Sequence, residues 1–178
     1  MAGQLVGQTV GGIEPETIFI GGLMQNIGQL VLARSHPELF QQIMTESATR
    51  GLPYHEVERM RLGFDHGELG ALLIRDWNLS EDLEDAVRWH HRFDAPDAVN
   101  RRAAAMIALG EEVALCSAAS EAGESEAAEP TDHESDAEAG VPEPPLSEAA
   151  RNLGVSAAQL ADLKTQAAAL HIDPTFFN

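Results

Sequence analysis

An all-α fold is predicted by two patterns that run along this chain. Apolar residues recur at helical spacing as far as residue 117, and nothing in that stretch alternates like a strand. Capping and stop signals then cut the pattern into pieces of helix length.

The first piece covers about Glu16 to Ala33, with Phe19, Leu23, Ile27, Leu30 and Val31 on one face. Ser35-His36-Pro37-Glu38 offers a capping serine, an early proline and a glutamate three residues on, so a second helix is expected to about Arg50, stopped by Gly51. Pro53 opens a third, which carries Val57, Met60 and Leu62 and ends at Gly63. Asp65-x-x-Glu68 resembles a capping box ahead of an apolar stripe at Leu69, Leu72, Leu73 and Trp77. Ser80, followed by Glu81 and Asp82, places acids at the positive end of a helix that contains Leu83, Val87 and His90-His91. A loop at Asp94–Asp97 leads into a long helix from about Ala98 to Ala118.

Residues 118–145 hold nine carboxylates, no Lys or Arg, and no Leu, Ile or aromatic residue. Such a segment cannot bury enough apolar surface to offset its ordering entropy, so it is expected to be a disordered acidic linker. Order should resume at Ser147, with a short helix to Gly154 and a second, capped by Ser156-x-x-Gln159, to about Leu170. Leu153, Val155, Leu160, Leu163 and Leu170 would bury against each other or against the main domain. The expected organisation is a helical domain over 1–117, a linker over 118–145 and a helical hairpin over 146–178.

With a net charge of −18, half of it in the linker, the chain lacks the basic face that phosphate neutralisation requires, and nucleic-acid binding is not expected. Lone Cys116 excludes an internal disulfide and a thiolate zinc cluster. No signal peptide or apolar run of about 18 residues is evident, which points to a cytoplasmic chain without membrane contact.

Three stretches carry a family resemblance. The segment Phe19-Ile-Gly-Gly-Leu-Met-Gln-Asn-Ile-Gly28 is similar to an "F-x-x-G-L-L-H-D-I-G" pattern. The run Glu58 to Leu79, with Gly63-Phe-Asp-His66 and Trp77-Asn-Leu79, resembles "E…G-F-D-H…G-x-L-L…W-N-L", and Ala86-Val-Arg-Trp-His-His91 resembles "A-I-x-x-H-H". Together they resemble the HDOD family, the HD-related output domains of bacterial signalling proteins. The resemblance implies an HD-like helical bundle of which this chain carries the C-terminal half. It also implies an N-terminal subdomain upstream, including a histidine of the ancestral site. A half-domain would expose the apolar faces its missing helices cover, so dimerisation or low solubility is expected.

Catalytic HD enzymes use the adjacent His-Asp pair as metal ligands, and in this chain Gln25 and Asn26 stand in that place. Neutral amides are poor ligands beside imidazole and carboxylate, and the late aspartate of the pattern falls near Glu111. Residues left to line a vestigial pocket are Gln25, Asn26, Asp65, His66, His90, His91 and Glu111. Neighbours on a helix differ by about 100°, so at most one of His90 and His91 should face a given site. Gly21, Gln25 and Gly28, with Gly22 one turn before Asn26, form a small-residue stripe along which another helix could approach while the two amides hydrogen-bond across the contact.

The reading that results is a non-catalytic signalling or scaffold module with no catalytic residue, no metal and no cofactor. Its expected partners are other signalling proteins, or a second copy of the chain. The alternatives are a sensor of a nucleotide-like second messenger in the vestigial pocket, and a residual metal-dependent phosphohydrolase built from His66, His90, His91 and Glu111.

Overall fold

The computed structural model describes residues 1–123 and 146–169. Among these the chain is helical throughout, without strands, as the periodicity predicts. In order come α1 (Ala2–Val10), α2 (Pro15–Met24), α3 (Ile27–Ser35), α4 (Pro37–Arg50), α5 (Tyr54–Leu62), α6 (His66–Asp76) and α7 (Glu81–Trp89). The long α8 (Arg101–Gly123) follows, then α9 (Glu148–Leu153) and α10 (Ala157–Ala168).

Several helix starts lie where short side chains can accept a hydrogen bond from the first turn. Asp65 accepts from the Glu68 N–H, Ser80 from Leu83 and Ser147 from Ala150. Ser156 and Gln159 complete a reciprocal capping box. Gly51 and Gly63, both left-handed, end α4 and α5.

Four local expectations need correction. Ser35 does not cap α4: it is the last residue of α3 and its hydroxyl bonds back to the Val31 carbonyl, leaving His36 as the cap residue. Glu68 does not return to the Asp65 N–H, because its carboxylate is held by Arg59 at 2.5 Å and Arg92 at 2.8 Å. The long helix starts at Arg101 rather than Ala98, since the Asp85 carboxylate takes the N–H groups of Val99 and Asn100 at 3.0 and 2.6 Å and holds them in a turn. At its far end α8 runs on to Gly123, into the segment expected to be linker; the rest of that segment and Leu170 lie outside the described residues.

The fourth correction matters most for the site. The piece from Glu16 to Ala33 is two helices, and the break falls on Gln25-Asn26. Asn26 takes φ −99° and ψ 10° and becomes the residue before α3. Packing sets the break. A Cβ on Gly21 would lie 2.5 Å from Ile107 of α8, and one on Gly28 would overlap the backbone oxygen of His66 on α6. Two glycines in one apparent stripe thus serve two different neighbours, one on each side of the break. Gly22 faces nothing within 4 Å.

The main core gathers Val6 of α1, Ile18 of α2, Ile74 of α6, Val87 of α7 and a row on α8 including Met106, Ile107 and Leu109, all buried. Val155, Leu160 and Leu163 join the same core as α9 and α10 pack on α8, and Lys164 reaches Glu112 of α8 at 3.1 Å. A second, smaller cluster unites Leu32 of α3, Ile43 of α4 and Val57 of α5. None of the helices described is long and apolar enough to cross a membrane.

Candidate functional site

Three helix ends meet at one place. A Cβ on Gly67 would stand 2.9 Å from the Val87 carbonyl, so only glycine lets the first turn of α6 rest on the last turn of α7. That approach, with α3 seated on the other side through Gly28, brings His66 beside His90 and His91.

His66 is anchored by Glu58 of α5. One carboxylate oxygen accepts the His66 backbone N–H at 2.9 Å and lies 2.6 Å from ring Nδ1, with both side chains about 2 % exposed or less. A carboxylate oxygen that accepts from this ring fixes a proton on Nδ1 and turns Nε2 toward His91. His91 Nε2 lies 2.9 Å from His66 Nε2, within hydrogen-bond distance. His90 directs Nδ1 to the Val87 carbonyl at 2.7 Å, and its buried Nε2 has no hydrogen-bond partner. His55 of α5 stacks on the His91 ring, with centroids 3.9 Å apart and planes 13° apart.

His90 and His91 therefore both face His66, against the expectation that only one could. The 100° rule does not govern them, because α7 ends at Trp89: His90 is the cap and His91 lies in the turn beyond. Asp65 is the cap of α6 and ion-pairs with Arg59 at 2.9 Å.

Burial favours the neutral form of His90, His91 and His55. It lowers the pKa of His90 to about 4, against the pull of its bond to the Val87 carbonyl. It also pushes His91 down, with His90, His55 and His66 adding to the effect, and lowers His55. Between pH 6.5 and about 4 the unfolded chain protonates His90 while the folded chain does not, so stability must fall as the pH falls through that window. A full proton of difference costs about 1.36 kcal/mol for each pH step of one, so His90 alone should remove about 3 kcal/mol by pH 4. Urea unfolding of chelator-treated protein at a series of pH values checks it; a flat profile between about pH 6.5 and 4.5 would contradict the buried neutral ring.

The remaining residues of the expected pocket are arranged otherwise. Gln25 and Glu111 line a separate crevice of about 110 Å³ with Phe19, Leu23 and the first residues of α1. Burial raises the pKa of Glu111. The side-chain amide oxygens of Gln25 and Asn26 are buried without hydrogen-bond partners, so the expected amide contact across a helix interface is not made. A metal at the Gln25-Asn26 position, as in catalytic HD enzymes, does not fit this donor set: two amide oxygens replace an imidazole and a carboxylate.

Sequence reasoning missed Glu58 and His55 as members of the histidine cluster. Glu58 stands eight residues before His66, at the head of the run that ends in Trp77-Asn-Leu79, and that spacing was a usable signal. Nothing in the sequence pointed to His55.

The chain belongs to the HDOD domain family, which it matches over residues 1–93. It is 33% identical over 73 residues to an uncharacterized protein of Treponema pallidum, covering 41% of this chain and 14% of that one. Its fold is similar to the crystal structure of a candidate phosphohydrolase from Shewanella amazonensis, with a TM-score of 0.62 at 20% identity. That match covers 95% of this chain and 55% of the other, so the chain spans about half the length of its structural relative.

Proposed function

We propose that this chain is a non-catalytic signal-transduction module of the HDOD family that works through contacts with other protein domains. The observation that carries the reading is the Gln25-Asn26 pair, whose amides occupy the position of the His-Asp ligands of catalytic HD enzymes. Burial supports it as well. His66 is 2% exposed and His90 fully buried, which leaves a phosphoester no room to reach them. Surface apolar residues on α2 and α3, Leu23 at 64% and Leu30 at 66% exposure, supply the contact area such a module would use.

Hydrolysis assays on the purified chain with nucleotides and cyclic dinucleotides are expected to show no phosphate release above the uncatalysed rate. Turnover that a chelator abolishes would overturn the proposal. The ligand-sensor reading fits less well, because Asp65, His66 and His90 offer a nucleotide almost no accessible surface.

A further inference from the structure

We propose that residues 170–178 dock in cis over the crevice between the start of α1, α2 and α8, where they cap the apolar face that contains Leu23. The proposal rests on the reading of that face as a contact surface for other domains, and adds an occupant that belongs to the chain itself. The crevice suits a peptide. Its walls include Met1, Phe19, Leu23 and Ala114, and both Met1 and Leu23 are more than half exposed. At about 110 Å³ it falls well below the roughly 300–1,000 Å³ of small-molecule sites, so it admits one large side chain and not a nucleotide. Gln25 lines it too, 8% exposed, with its Oε1 buried and without a donor. An entering backbone carries the N–H groups that such an acceptor needs, whereas a purely hydrocarbon occupant would leave it unpaired.

The chain supplies such a peptide close by. Residues 170–178 carry Leu170, Ile172, Phe176 and Phe177, with Asp173 as their one acidic side chain and no Lys or Arg. They follow directly on α10, which packs on both α1 and α8. Lys164 of α10 meets Glu112, the neighbour in sequence of Glu111 on the crevice wall, and α10 ends four residues later at Ala168. Nine extended residues reach about 30 Å, roughly three helix diameters. That is enough to pass the start of α1 and set a ring of Phe176 or Phe177 beside Phe19 and Leu23. The short tether also holds the segment at an effective concentration of about 1 mM, so a weak contact suffices to keep it seated. A partner domain that uses Leu23 must then displace the chain's own residues first.

Amide hydrogen exchange is compared between the full chain and its Phe176→Ala/Phe177→Ala variant. Amides from Phe19 to Leu23 and around Ala114 are expected to exchange at least about twofold faster in the variant, the factor for losing a half-occupied contact. A synthetic peptide of residues 170–178 added to the variant should restore the slow rates with a Kd of about 1 mM or tighter. Adding Leu23→Asp to the variant should abolish that effect. Equal rates in wild type and variant overturn the proposal. So does protection that grows with protein concentration, because the segment would then sit on a second copy. A peptide that protects the Leu23→Asp protein equally well overturns it too, since the contact would lie elsewhere. No substrate or partner enters the measurement, so phosphate release would overturn the proposed function and leave this contact standing, and missing protection would do the reverse.

Discussion

Replacing Glu58 with alanine should destabilise the fold by about 3–5 kcal/mol, because two buried donors lose their acceptor at about 1–3 kcal/mol each and the empty side-chain volume adds to that. Both donors belong to His66: its backbone N–H, which opens α6, and its ring Nδ1. The first is an unpaired donor of a helix start that has no other side chain to turn to, since Asp65 serves the Glu68 N–H. Glu58→Gln keeps a carbonyl oxygen in place and should cost about 1 kcal/mol, the loss of charge assistance alone. Urea denaturation of the two variants against wild type measures the gap. Equal effects would mean that the charge, and not the acceptor geometry, is what His66 requires.

Gly28→Ala is expected to cost about 1–3 kcal/mol through overpacking, whereas Gly22→Ala should be neutral or stabilise by about 0.5–1 kcal/mol through helix propensity. The two residues look alike in sequence, both of them glycines flanking Gln25-Asn26. Their surroundings differ. A methyl at Gly28 would meet backbone, overlapping the His66 oxygen and standing 3.0 Å from the Gly70 nitrogen, and neither can swing aside as a side chain does. At Gly22 it meets nothing within 4 Å. Thermal melts of both variants decide the matter, and a Gly28→Ala protein as stable as wild type would contradict the close seating of α3 on α6.

Boundaries set by a local cap or a glycine stop were legible in the sequence, for a physical reason. A cap such as Asp65, Ser80, Ser147 or Ser156 acts within three residues, so its signal is local and visible. The break at Gln25-Asn26 is set by what Gly21 and Gly28 press against, Ile107 and His66, and those neighbours are distant in the chain. The apolar spacing runs on through the break and hides it. The end of α7 is hidden likewise, because no glycine or proline follows Trp89 before the two histidines. Family resemblance placed His66, His90 and His91 in one region. Their mutual approach depended on that unseen helix end, and the role of Glu58 on a contact between α5 and α6.

The smaller apolar cluster of α3, α4 and α5 has a bearing on how the molecule breathes. Val57 and Glu58 are adjacent on α5: one belongs to that cluster, the other holds His66. A partial opening that lifts α5 away from α6, leaving the main core folded, would release His66 and expose the histidines to solvent. Access to the buried imidazoles is then governed by the free energy of this sub-global opening rather than by any channel.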